Sequence, residues 1–188
     1  MVNKNTHISY RINSRDEIIF LNDEWFQFAS ENDAPNLDPE NILCRNLWNF
    51  ISDDKVKYLY QEILRRVNAG HSFKFNLRCD SPETRRILEM NITPQKDGEV
   101  QFDSRTIRTQ LRMPPILFKN NAPRTEKLLI ICSWCNKIET GNGQWEEVEE
   151  AVKTLGLFEL ETLPMISHGM CGSCYQTVSL KLEKAKTA

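Results

Sequence analysis

The first hundred residues show the hydrophobic periodicities of both strands and helices. Apolar side chains at Ile8, Tyr10 and Ile12 alternate with polar ones, which predicts a half-buried strand. The apolar run 18–21 predicts a second strand, and aromatic residues at helical spacing directly after it predict a short helix. Residues 31–41 are rich in Asn, Asp and Pro, so we expect a loop there, with at most one helical turn.

Residues 53–67 carry a clean amphipathic helical pattern. Acidic residues in the first turn and Gly70 beyond the last turn mark the start and stop of this helix. The strand-like segments that follow are separated by turn residues, including an Asp97-Gly98 pair that favours a hairpin. These segments are 73–77, 86–92 and 100–107.

The resulting order, β-β-α-α-β-β-β, predicts an α+β domain over residues 6–112, with a five-stranded antiparallel sheet and helices on one face. This architecture often leaves a cavity between its two layers. Four aromatic residues could line such a cavity, namely Trp25, Trp48, Phe73 and Phe75. Aromatic residues at these spacings are, however, more often part of the ordinary core.

The C-terminal third begins with a stretch that interrupts regular structure. Residues 113–127 contain three prolines and an Asn-Asn pair, and we interpret them as a linker. A second unit, 128–178, follows, with a short apolar strand at 128–131 and a Gly-Asn-Gly turn. From residue 144 to 155 the pattern predicts a helix with Trp145 in its buried stripe and glutamates on the opposite face.

Four cysteines in this second unit have metal-ligand spacing. Cys132 and Cys135 form one Cys-x-x-Cys motif, and Cys171 and Cys174 form another. In each motif both thiolates of a tight turn can reach one tetrahedral ion at about 2.3 Å, and two such motifs together indicate zinc. We therefore predict a small zinc-ribbon-like module, in which a closed set of four ligands leaves no position for water and the zinc is structural.

Other interpretations of these cysteines stay open. His168 lies three residues before Cys171 and is an alternative ligand, because imidazole nitrogen also binds zinc. The thiols could instead form a reversible dithiol centre or be merely buried. Cys79 follows Arg78, whose charge could activate it, but a lone cysteine is usually inert.

Composition and charge limit the class of protein, its partners and its expected cellular location. The chain has an ordinary globular composition and no apolar stretch of the roughly 20 residues that span a bilayer. The formal net charge of −2 gives no general attraction to nucleic acid or anionic lipid, and we expect the basic cluster that includes Arg85 and Arg112 to form a solvated surface. We expect a cytoplasmic protein, where reducing conditions favour metal ligation over disulfides.

Residues 6–112 resemble a PAS domain. The resemblance lies in the stretches IIFLNDEW at 18–25 and CRNLWNFI at 44–51, and in the sheet that follows them. The part from Cys132 to Cys174 resembles a cysteine-rich tail found after bacterial PAS and response-regulator domains. Together they imply a bacterial signal-sensing fold that binds a small ligand or cofactor, reports to protein partners, and is compatible with a homodimer.

The resemblance does not identify the ligand of the PAS-like domain. PAS sensors that hold haem commonly use a histidine on a helix. Haem is disfavoured here because the long helix 53–67 has no histidine, and His71 lies just beyond its end. Flavin is disfavoured because the stretch LCRNLW at 43–48 shares only Cys-Arg and Leu with the motif of flavin-binding light sensors.

Three functions are consistent with these observations. The first is a non-enzymatic sensor whose PAS-like domain detects a small ligand or redox signal and whose zinc module binds a protein partner. The second is a zinc-dependent nucleic-acid-binding transcriptional regulator, which the acidic face of helix 144–155 opposes. The third is a thiol redox switch that loses metal on oxidation.

Overall fold

The computed structural model describes residues 7–31, 37–118 and 122–184, which form two compact units. The first unit comprises residues up to 76 together with 87–108, and the second comprises 77–86 together with the residues from 109 onward. No helix within these described residues has the length and apolar character needed to cross a membrane.

The first unit is built on a five-stranded antiparallel sheet with the strand order β2-β1-β5-β4-β3. Tyr10 pairs with Leu21 of one neighbouring strand and with Phe102 of the other. This confirms the predicted sheet. The strands are β1 (His7–Ile12), β2 (Ile18–Leu21), β3 (Phe73–Arg78), β4 (Thr84–Pro94) and β5 (Val100–Leu111), and the helices are α1 (Asp23–Glu31), α2 (Pro39–Ile42) and α3 (Asp54–Asn68).

The long helix α3 supplies much of the first unit's core. It begins where the side chain of Asp53 accepts a hydrogen bond from the Val56 N–H at 2.9 Å, and its apolar stripe is buried as the periodicity predicted. The predicted loop 31–41 contains the start of α2, and its central residues 32–36 lie outside the described part of the chain.

The aromatic residues considered as cavity lining have structural roles in the first unit. Phe73 and Phe75 are buried. The indole N–H of Trp25 donates to the Leu37 carbonyl at 3.1 Å, and that of Trp48 donates to Asp16 at 2.8 Å. All four therefore stabilise the fold.

The second unit contains a four-stranded sheet with the order β8-β7-β6-β9. Strands β6 and β9 run parallel, whereas β7 pairs antiparallel with both β6 and β8. The helix between β8 and β9 forms part of the crossover that returns the chain to the sheet. The strands are β6 (Arg124–Cys132), β7 (Ile138–Gly141), β8 (Gln144–Glu146) and β9 (Leu163–Gly169), and the helices are α4 (Val148–Thr154) and α5 (Gly172–Lys184).

This mixed sheet corrects two predictions. The second unit is larger than a zinc ribbon, because its parallel pair and crossover helix build a separate core around Ile131 and Val148. The predicted helix 144–155 is wrong in its first residues, since 144–146 form strand β8. Asn142 and Gly143 have φ values of 51° and 73°, which favour a tight hairpin turn and pair Trp145 with Glu139.

The segment predicted as a linker also contains structure. Leu117 is fully buried in the core of the second unit, and Arg124 starts β6 while its guanidinium donates to the Leu117 carbonyl at 2.7 Å. Residues 119–121, which include the Asn-Asn pair, lie outside the described residues. The apolar positions of this segment therefore pack, despite its prolines.

Candidate metal centre

The first cysteine motif forms a tight turn between β6 and β7. The N–H of Cys132 donates to the Lys137 carbonyl at 2.8 Å, and the N–H of Asn136 donates back to the Cys132 carbonyl at 2.9 Å. Asn136 has a φ of 55°, a left-handed conformation that asparagine tolerates better than most residues. This turn brings Cys135 back beside Cys132.

The second motif stands at the start of α5. Cys171 directly precedes the helix, its carbonyl accepts from the Tyr175 N–H at 3.0 Å, and Cys174 lies in the first turn. The N-terminal end of a helix carries a partial positive charge, which favours thiolates there.

Parallel pairing of β6 and β9 brings the two motifs together. Cys132 at the end of β6 lies opposite Gly169 at the end of β9, and the Ser133 N–H donates to the Gly169 carbonyl at 2.9 Å. Because the carboxyl ends of parallel strands lie at one edge of a sheet, the chain that leaves each strand supplies its cysteines to the same place.

The four sulfurs have the spacing of a tetrahedral metal site. All four Sγ atoms lie within 4.8 Å of one another, and those of Cys135 and Cys171 are 3.8 Å apart. A tetrahedron with metal–sulfur bonds of about 2.3 Å has edges of about 3.8 Å. Cys132 and Cys171 are buried, whereas Cys135 and Cys174 are partly exposed. The four thiols can therefore hold one metal ion.

Main-chain N–H groups point at the sulfurs. The N–H of Cys171 lies 3.4 Å from the Sγ of Cys132, the N–H of Cys174 lies 3.4 Å from the Sγ of Cys171, and the Ser173 hydroxyl is 3.2 Å from the same sulfur. Such donors stabilise negative charge on sulfur, so they support thiolate ligands.

The cysteine pKa values reflect this shared environment. Hydrogen bonds from Cys135 and Cys174 hold the pKa of Cys132 well below its ordinary value. The hydrogen bond to Cys132 raises the pKa of Cys135 to about 12, and the same neighbour raises that of Cys174. The site thus stabilises a thiolate at Cys132 through the protons of its neighbours, and a cation can take the place of those protons.

The structure places the other sequence candidates apart from the four sulfurs. His168 lies exposed on β9, opposite Ile131 and outside the group of clustered ligand atoms found among the described residues. Burial raises the pKa of Cys79, which disfavours its thiolate, and Cys44 is exposed.

The second unit contains a cluster of ion pairs that the sequence does not predict. Asp80, with a side chain only 1% exposed, binds both Arg78 and Arg112, and the arginines in turn reach glutamates of the α4 region. The expectation that Arg85 and Arg112 are solvated is wrong, because the side chain of Arg112 is 6% exposed and Arg85 pairs with Glu149. No sequence periodicity indicates these pairings.

The first unit presents a polar cleft of about 310 Å³ on its sheet. The carboxylate of Glu89 binds Lys74 at 3.4 Å and Arg105 at 2.7 Å, while His7 lies 3.3 Å from Asp103. Asn91 completes the lining. The cleft offers groups of both charges, and most of them are already paired with one another.

The chain has structural similarity to a solved sensor-like domain at low sequence identity. No known family profile matches the sequence, and no curated protein matches it. One solved structure that is similar is a domain of an HTR-like protein from Haloarcula marismortui ATCC 43049, with 15% sequence identity and a TM-score of 0.38. The similar region covers 54% of this chain and 98% of that domain.

Proposed function

We propose that this chain is a non-enzymatic signalling protein with a PAS-like sensor unit and a structural-zinc module that binds a protein partner. The observation that carries the proposal is the group of four cysteine sulfurs within 4.8 Å of one another. Zinc favours four thiolates in a tetrahedron, and four protein ligands leave no open position for a substrate or water. This ligand set suits folding and recognition better than hydrolysis.

The zinc ion supplies folding energy to the second unit. Its ligands are Cys132 and Cys135 on the β6–β7 turn, and Cys171 and Cys174 at the start of α5. Main-chain N–H groups orient the sulfurs and offset their negative charge. We assign the metal a structural role on these grounds.

The sensor role of the first unit is supported by its five-stranded antiparallel sheet, which agrees with the PAS-like architecture, and by its polar cleft. The groups of both charges in the cleft, such as Lys74 and Glu89, suit a small polar ligand. Native mass spectrometry of the purified protein tests this role, and a stoichiometric small molecule that is lost in K74A supports it. Uniformly ligand-free protein that also fails to bind a library of polar metabolites argues against it.

A redox switch is a second candidate, favoured by the 3.8 Å separation of the Cys135 and Cys171 sulfurs and by the partial exposure of Cys135 and Cys174. Peroxide would oxidise two thiolates to a disulfide, its own oxygens leaving as water or hydroxide, and the ion would be released. An inert structural site keeps its zinc at the same peroxide concentration. Zinc release with thiol loss therefore separates the two candidates.

The partner role is tested with matched cysteine variants. Cys171→Ser removes a buried ligand sulfur, whereas Cys44→Ser changes an exposed cysteine outside the group. A protein that binds the zinc-loaded wild type and the Cys44→Ser variant but not the Cys171→Ser variant supports partner binding by the metal module. Equal binding to both variants contradicts it, and a salt-dependent shift of nucleic acid by the wild type would favour the regulator instead.

A further inference from the structure

The β3–β4 hairpin ends in a compact tip, residues 77–86, that belongs to the second unit. The Cys79 N–H donates to the Arg86 carbonyl at 3.0 Å, and the Ser81 N–H donates to the Thr84 carbonyl at 2.8 Å. Beyond the tip, β3 and β4 continue into the strands of the first unit. The tip is therefore the part of these two strands that packs with the metal module.

The tip is bonded directly to the first cysteine motif. The main-chain N–H of Arg78 donates to the carbonyl of Trp134 at 2.8 Å. Trp134 lies between Cys132 and Cys135, and it is 7% exposed. Since a bound ion would fix the sulfurs on both sides of Trp134, it would also fix the direction of this carbonyl.

Arg112 also binds the tip. Its Nη2 donates to the Ser81 carbonyl at 2.9 Å and its Nε to the Pro82 carbonyl at 3.1 Å, while its N–H donates to the Glu83 carbonyl at 3.0 Å. Nη1 lies 3.3 Å from the buried carboxylate of Asp80. The guanidinium thus uses its fixed fork of donors to hold the tip's carbonyls.

The α4 region completes the contacts. Glu147 accepts from Arg78 at 2.6 Å, and Glu149 binds both Arg85 and Arg112. These ion pairs link the tip to the start of α4, while the Arg78–Trp134 hydrogen bond links it to the metal site. Arg78 takes part in both links.

We propose that the metal site controls the docking of the hairpin tip, so that loss of the ion releases residues 77–86. The inference rests on the proposed metal site and adds to it a segment that responds to metal occupancy. Arg78 transmits the change, because its N–H faces the metal-ordered turn and its side chain belongs to the ion-pair cluster. Since coupling is reciprocal, weakening the ion-pair cluster must also weaken metal binding.

Hydrogen–deuterium exchange of the full chain, zinc-loaded and after chelation, tests the first half of the proposal. We expect the amides of Arg78, Cys79 and Ser81 to exchange at least about tenfold faster after chelation, with helix α3 of the first unit unchanged. If the wild type takes up zinc but the tip exchanges equally in both states, the inference fails and the metal site stands. If the wild type takes up no zinc, both fail.

The reciprocal test uses Asp80→Asn, with Glu89→Gln as the matched control. Each change neutralises a carboxylate that binds two cations, but only Asp80 belongs to the cluster around the tip. We expect Asp80→Asn to weaken zinc binding by about fivefold or more in competition with a chromophoric chelator, and Glu89→Gln to leave it unchanged.

A milder variant covers the case in which Asp80→Asn does not fold. The side chain of Glu149 is 33% exposed, and Glu149→Gln keeps its shape while removing its charge from Arg85 and Arg112. A twofold or greater loss of zinc affinity in this variant supports the coupling. Unchanged zinc affinity in every folded cluster variant overturns the inference.

Discussion

Cys132 and Gly169 lie opposite each other at the ends of the parallel strands β6 and β9. This register places both cysteine motifs at one edge of the sheet, although Cys135 and Cys171 are separated by 36 positions in the chain. The grouping of the four sulfurs is therefore a product of the sheet topology as much as of the motif spacing.

Removing one sulfur should abolish the site. We expect about one zinc ion per wild-type chain and a near-complete loss in Cys171→Ser, because three thiolates without the fourth hold the ion weakly and leave it open to solvent. Elemental analysis of reduced protein measures the ratio. Cys44→Ser, which leaves the four sulfurs untouched, should keep its zinc, and equal zinc content in the two variants would contradict the assignment.

The buried residue of the predicted linker should matter for stability. Leu117 is fully buried, so Leu117→Ala should lower the free energy of unfolding by about 2–5 kcal/mol through lost burial and a cavity. Urea denaturation followed by circular dichroism measures the change. Met113→Ala is the matched control from the same segment, because Met113 is 86% exposed and its truncation should change stability by about 0.5 kcal/mol at most.

The sequence predicted local structure well and non-local pairing poorly. Helix α3 lies where the hydrophobic periodicity predicted it, and its apolar positions are buried. The four cysteines of the two Cys-x-x-Cys motifs lie together, as their spacing predicted. A helix is predicted at residues 144–146 because Trp145 fits the buried stripe of the helical pattern that follows, whereas the turn at Asn142-Gly143 forces a hairpin. Turn chemistry overrides the weak helical preference of so short a segment.

The ion-pair cluster lay beyond prediction for a different reason. Arg78 and Glu147 are 69 positions apart, and their meeting depends on where the hairpin tip packs. Charged residues usually indicate solvated surface, so the pattern gave no sign that Asp80 and Arg112 are buried. Burial of charges becomes visible only when the tertiary contacts are known.

Arg112 should be among the most sensitive charged residues. Arg112→Ala leaves the buried Asp80 with one cation fewer and removes a guanidinium donor from each of the Ser81 and Pro82 carbonyls. We expect the free energy of unfolding of the second unit to fall by about 1–3 kcal/mol, measured by urea denaturation, because Asp80 keeps its ion pair with Arg78. Arg65→Ala, which removes an exposed ion pair with Glu62, should leave the free energy of unfolding nearly unchanged, and a similar loss in both variants would contradict the role of Arg112 in holding the hairpin tip.

Alkaline stability of the first unit should depend on Tyr60. Burial raises the pKa of Tyr60 to about 12, so between pH 10 and 12 the unfolded chain loses this proton while the folded chain keeps it. The stabilisation is complete below the unfolded pKa and declines as the pH rises. At pH 11 the decline is about 1 kcal/mol.

Urea denaturation at pH 8 and pH 11 measures this effect. Between pH 8 and pH 11 the free energy of unfolding of Tyr60→Phe should fall by about 1 kcal/mol less than that of the wild type, because phenylalanine does not ionise. Tyr58→Phe is the control, since Tyr58 is on the same helix and 52% exposed. Equal flattening of the pH dependence by both changes would rule out Tyr60 as its source.

The crossover between β6 and β9 also has a consequence for biosynthesis. With ribosomes adding about 5–20 residues per second, Cys135, the later cysteine of the first pair, is made about 2–7 s before Cys171, which lies 36 positions further along the chain. During that interval the nascent chain presents a half-site of two thiols. The group of four sulfurs can form only after the second pair has emerged and β9 has aligned with β6, so its completion marks a late step in the maturation of the protein.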